Sequence, residues 1–294
     1  LFGIIDTGQI AGIILSSYAI PVLMSLKFAI LDTLLICAGS IFAALIIQFF
    51  VSRNPQLTAK AFTGSRKKTK NSGFMQLFKS RYTLLITFFV VFSVITAFFV
   101  HYSFISITKE NYPESENFAA FLGAFMGTLT IFTVIIKTFL YGKLMKTYGL
   151  KLALLLTPVL IGIFSAIILI SGSLYGFSVG ASGFIFIFLL LSLSKLFAKS
   201  LKDSIEVPSS KILYQALEPD IRYDVQARID GTVNEISAFF SGLFLAGLGL
   251  IVGINLLHYS AVLLIIVILW FFTGIFLYRA YKDTLFSALS KSKG

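Results

Sequence analysis

Apolar residues in this chain fall in long unbroken runs, with the polar residues gathered between them. Eight runs, at about 3–25, 29–51, 82–105, 117–141, 150–172, 175–200, 231–254 and 259–281, reach the roughly 20 residues a helix needs to cross a ~30 Å hydrocarbon core. They are continuous rather than alternating, which excludes a membrane β-barrel. Helices are expected throughout, since lipid offers a backbone group no partner outside its own segment. The fold class read from this pattern is all-α: a polytopic membrane helix bundle of eight transmembrane helices, two before a polar linker and six after it.

That linker, 53–81, holds eight Lys or Arg and no Asp or Glu. A basic loop stays on the cytoplasmic side, and this orients every other segment. By alternation, the inner loops and the tail carry 19 of the 24 basic residues, and the outer loops carry two. The expected divisions are 1–52, the last two helices of a first half; 53–81, a cytoplasmic linker; 82–281, a six-helix half; and 282–294, a cytoplasmic tail. Composition agrees, at 57% hydrophobic and 13% charged, where soluble domains carry about 25% charged residues. The net charge of +11 sits in loops, where topology accounts for it, so nucleic acid is not an expected partner. Cys37 is the single cysteine, which leaves no internal disulfide. The opening LFGIIDTG reads as the inside or edge of a helix, so the chain is expected to be part of a longer bundle.

Segment 201–230 mixes four basic with six acidic residues and is too long for a plain turn. Pro208 is expected to end the helix that carries the sixth run. Glu218-Pro219-Asp220 predicts a turn that opens a short second helix, which leads into the seventh run with Asp230-Gly231 at the joint. Residues 73–80 place Phe74, Leu77 and Phe78 at helical spacing, either as a short amphipathic piece on the membrane surface or as the start of the third run. The pairs Gly8 and Gly12, Gly123 and Gly127, and Gly176 and Gly180 predict close helix approach.

After the second span of the six-helix half, the loop reads Gly142, Leu144, Gly149 and Lys151 at fixed intervals. It resembles the signature loop Gly-x-Leu-x-Asp-Arg-x-Gly-x-Lys/Arg of the major facilitator superfamily, with Lys146 and Thr147 in place of the Asp-Arg pair. Two spans, a basic loop, six spans and a tail likewise resemble the last eight helices of that twelve-helix fold. Between 203 and 231 stand Asp203-x-x-Glu206, Leu213-Tyr214-x-x-Leu217, Arg222 and Gln226-Ala227-x-Ile229-Asp230-Gly231. This succession is similar to a cytoplasmic connection in the ATP/ADP antiporter family of plastids and intracellular bacteria, and closer still to bacterial relatives of that family. The resemblance implies a secondary active transporter that moves a small organic anion, a nucleotide or phosphorylated solute, by alternating access. It implies an integral protein of a bacterial cytoplasmic (inner) membrane, with the linker and C-terminus cytoplasmic.

Polar residues within the runs are where such a function would be carried. Lys137 reads as an anion-contacting group or as a lysine snorkelling to the headgroups. Lys195 and Lys199, one turn apart, read as the basic wall of an inward cavity or as positive-inside anchors, and Lys199 is also spaced to pair with Asp203. Asn234 and Glu235 open the seventh run; the helix dipole alone favours an acid there, and the other reading is a coupling carboxylate. Asp6 and Gln9 stand at i and i+3 in an apolar stretch, where Asp6 calls for a basic partner within the bundle. Gly142, Leu144, Gly149 and Lys151 form the candidate conformational loop. His101 and His258 have no second ligand at metal spacing, so no metal and no cofactor are expected. No catalytic constellation supports an enzyme. A reading from another class makes the chain a membrane-embedded scaffold or sensor, docking a soluble partner or regulatory domain on the cytoplasmic side through 201–230 and the tail.

Overall fold

The structure, a computed structural model, describes the backbone of residues 2–53 and 80–291 and the side chains of 7–53 and 80–286. The basic linker beyond Arg53, the piece at 73–79 and the side chain of Asp6 lie outside the described residues. The described elements are helices: α1 Phe2–Ser25, α2 Ile30–Ser52, α3 Arg81–Asn111, α4 Ser115–Ile135, α5 Tyr141–Tyr175, α6 Phe184–Leu201, α7 Val207–Gln215, α8 Pro219–Ala227, α9 Asn234–Gly249 and α10 Leu256–Lys291. Three π turns join them end to end: Ile136–Leu140 between α4 and α5, Lys202–Glu206 between α6 and α7, and Arg228–Val233 between α8 and α9. Seven helical stretches are long and apolar enough to cross a membrane. The chain is a polytopic helical bundle.

Length accounts for seven stretches where the pattern of runs has eight. The runs 117–141 and 150–172 both fall in one 61-residue stretch, Ser115–Tyr175. That stretch breaks at Gly149, whose φ of 70° and ψ of −171° are far from helical. Backbone of this kind is open essentially to glycine alone.

Two further expectations are corrected. Pro208 does not end a helix. Its ring would clash with the carbonyl four residues back in a regular α-helix, but here it follows directly on a π turn, where Val207 N–H reaches back to Lys202 O. The wider turn takes up the proline and the helix runs on to Gln215. The sixth run starts late, because residues 176–183 are loop and α6 begins at Phe184. Gly176 and Gly180 therefore serve a turn rather than a packing face, with Gly176 at φ 78°. The Glu218-Pro219 turn forms as expected: Glu218 is extended (φ −55°, ψ 137°) and Pro219 sits in the first turn of α8, where its missing N–H costs nothing.

The chain divides into two compact units. The first comprises Leu1–Lys70 and Tyr112–Thr128. In it, Gly123 and Gly127 face α1 closely. A methyl on Gly123 would come within 2.7 Å of Ser17 O and 2.8 Å of Ile20 Cβ, and one on Gly127 would meet the Tyr18 ring. Tyr18 and Thr128 share a hydrogen bond of 2.9 Å. Gly8 and Gly12 have nothing near them, so that pair is not a packing surface here. In α2 none of the residues is buried, and apolar side chains such as Leu31, Phe42 and Phe50 are exposed.

The second unit comprises Asn71–Asn111 and Leu129–Gly294. Here α3 is central, packed against α10, α6 and α9, while α5 packs on α10 and α6. At one end, Tyr82, Ile86 and Phe89 of α3 repeat at helical spacing and meet Leu154 of α5, Leu213 and Tyr214 of α7, and Trp270 and Leu277 of α10. Phe89 and Trp270 hold their rings 5.7 Å apart. Farther along, Phe99 and Val100 join Ile161, Leu245, Leu263 and Val267 in a second cluster.

Candidate functional site

Charged side chains concentrate where α6 passes into the π turn Lys202–Glu206. Lys195 is half-buried, as is Lys202, while Lys199 is exposed and pairs with Asp203 at 2.9 Å, one turn on. Lys199, Lys202 and Asp203 are the charges that act on Lys195, and Lys195 in turn acts on His101 of α3. Glu206 closes this series. It is 5% exposed, and its Oε1 accepts a hydrogen bond from the Ser93 hydroxyl of α3. Its Oε2 is buried with no hydrogen-bond partner among the described residues, and Lys202 is the strongest charge acting on it. A carboxyl group held this deep among apolar helices is either neutral or balanced by a cation nearby.

The π turn Ile136–Leu140 packs against the π turn Lys202–Glu206. Between them Ile136, Leu144, Ala153, Leu201 and Ile205 form a small buried cluster. The structure thus brings the turn that carries Lys137, the buried Leu144, which is helical in α5 rather than in the expected loop, and the end of the lysine series into one neighbourhood. Lys137 itself is exposed, as are Gly142 and Lys151. π turns within helices are frequent at functional positions, and two of them meet here.

The other candidates sit on other elements. Asn234 and Glu235 open α9 beyond the third π turn, which packs on α3. Asn234 Nδ2 donates to Glu235 Oε1 at 3.5 Å, and Glu235 is exposed. Gln9 is exposed on α1.

Sequence reasoning passed over Ser93, Lys202 and Glu206 as site residues. Glu206 was visible in the Asp203-x-x-Glu206 spacing, but nothing local marks its burial, which comes from α3. The remaining motif residues turn out to be fasteners. Tyr214 donates to Asp230 Oδ1 at 3.1 Å, and Lys211 also pairs with Asp230. Arg222 reaches the carbonyls of Gln215 and Leu217 at 2.8 and 3.1 Å, satisfying acceptors that the end of α7 leaves open. Arg228 pairs with Asp224 at 2.9 Å. Together these bonds fold α7 and α8 into a closed corner.

Two half-buried lysines, Lys195 and Lys202, near a buried acid suit an anionic ligand bearing phosphate or carboxylate. The chain is 23% identical over 227 residues to ADP,ATP carrier protein 1 of Chlamydia pneumoniae, an alignment covering 74% of this chain and 44% of that protein. It therefore spans less than half the length of that curated relative. No solved structure matches. The profile of the TLC ATP/ADP transporter family matches residues 12–281, nearly the whole sequence, and the chain belongs to that family.

Proposed function

We propose that this chain is part of a nucleotide transporter of a bacterial cytoplasmic membrane, working by alternating access of one cavity. The reading rests on one observation above the others: the match to the TLC ATP/ADP transporter family covers residues 12–281. In this reading Lys195, Lys199 and Lys202 receive the nucleotide's phosphates, and Glu206 supplies the counter-charge they hold when no substrate is present. Lys137 belongs to the same polar neighbourhood through its π turn. Two membrane crossings meet at Gly149, giving eight in this chain, and the linker 53–81 and the C-terminus are cytoplasmic. The chain then supplies the last eight helices of a twelve-helix, major-facilitator-like fold.

The test is uptake of labelled ATP into vesicles carrying the full-length protein and preloaded with ADP. Uptake should depend on internal nucleotide. Lys195→Gln should lower it at least tenfold, while Lys109→Gln at the exposed end of α3 leaves it nearly unchanged. Glu206→Gln, which keeps an acceptor for Ser93, should preserve folding but impair exchange. Wild-type vesicles that take up no nucleotide, or a Lys195→Gln variant with full uptake, would overturn the reading.

A further inference from the structure

We infer that the cavity between the start of α3 and the end of α10 binds the headgroup of an aminophospholipid, with the phosphate on Arg81 and Arg279 and the ammonium on Asp283. Ser80, Arg81, Phe276, Arg279, Asp283 and Thr284 line this space of about 440 Å³, which falls within the ~300–1,000 Å³ of small-molecule sites. None of the lysine series lines it, while Tyr82, which also lines it, bonds Leu213 O of α7.

Its position in the sequence places it at the membrane boundary. Arg81 is the first residue of the apolar α3. In α10 the apolar run gives way at Lys282, Asp283 and Thr284. Phe276, one turn before Arg279, is exposed, so an apolar wall adjoins the charged one. That combination fits a molecule with an acyl chain and a polar head better than a free ion. Guanidinium forks match the oxygens of a phosphate. Among the described residues, neither arginine nor Asp283 makes an ion pair with the protein. All three line the cavity without an ion partner among those residues.

Asp283 decides which lipid. A carboxylate in the wall repels a headgroup that is purely anionic. It accepts hydrogen bonds from a primary ammonium, which the methylated amine of choline cannot donate. Phosphatidylethanolamine uses all three charges.

The experiment is thermal unfolding and native mass spectrometry of the full-length protein in neutral detergent, with short-chain phosphatidylethanolamine, phosphatidylcholine, phosphatidylglycerol or inorganic phosphate added. Phosphatidylethanolamine should raise the midpoint most and remain bound in the spectrometer. Asp283→Asn, a near-isosteric change at an exposed position, should make ethanolamine and choline lipids equivalent. Arg81→Gln with Arg279→Gln should remove the response to both. Equal shifts with the two lipids in the wild type, a larger shift with phosphatidylglycerol, or the same shift with phosphate alone would overturn the assignment. So would an ethanolamine preference that survives Asp283→Asn. None of these readouts depends on transport, so the proposal stands or falls apart from the nucleotide reading.

Discussion

The phenol of Tyr82 donates to the carbonyl oxygen of Leu213 at 2.6 Å, across 131 residues of sequence. Both residues are buried in one cluster. The first turn of α3 is thereby pinned to α7, and through Tyr214 and Asp230 to the π turn ahead of α9.

Tyr82→Phe removes this donor and little else. Leu213 O keeps the Ala216 N–H at 3.3 Å, so the carbonyl is not stranded. A loss of about 1 kcal/mol is expected, measured as a lowered unfolding midpoint in detergent. A loss of several kcal/mol would mean that the ring, rather than the hydroxyl, had been disturbed.

Lys211 and Asp230 form an ion pair whose side chains are 43% and 34% exposed. Exposure of that degree screens it, so a double-mutant cycle of Lys211→Gln and Asp230→Asn should give a coupling of at most about 1 kcal/mol. The coupling should shrink as salt is raised. Tyr214→Phe, a change beneath the pair on a buried ring, should be insensitive to salt.

Gly149→Ala forces a side chain onto a backbone at φ 70° and ψ −171°. The expected cost is about 1–3 kcal/mol from backbone strain alone, because the space around the residue is open. Thermal unfolding of the variant beside Gly142→Ala, a regular helical position, separates strain from crowding.

Gly123→Val drives side-chain atoms into Ser17 O and Ile20, and overpacking of this kind costs about 1–3 kcal/mol. Gly12→Ala, with nothing within 4 Å, should be neutral or stabilising by up to about 1 kcal/mol through helix propensity. Unfolding in graded denaturing detergent ranks the two, and the reverse order would contradict the packing described for α1.

The helices were legible because lipid imposes a length and a composition that little else satisfies. Ends and interruptions were not. Pro208 misled because a proline's effect depends on the turn before it, and a π turn is a matter of hydrogen-bond register that residue types barely signal. Gly176 and Gly180 matched a packing pattern while serving a loop, since spacing alone does not say which element carries it. The motif from Asp203 to Gly231 stood out as a pattern, yet its bonds join residues such as Tyr214 and Asp230 that only the corner brings together. Lys195 and Lys199 stand out in the sequence because charge is conspicuous among apolar residues. Ser93 was not, because a serine in a span usually bonds its own helix, and only the packing of α3 on Glu206 sets this one apart.

The π turns carry one further consequence. Each accommodates an extra residue relative to a regular helix, and one residue is worth about 100° of rotation. Deleting a single residue from Lys202–Glu206 would therefore let the helix close to a regular turn with α7 facing nearly as it does now, Leu213 and Tyr214 still toward Tyr82. Deleting one residue from the regular part of α6 would instead swing α7 by roughly that angle and undo the corner. The wide turn is thus where this helix best tolerates a lost codon.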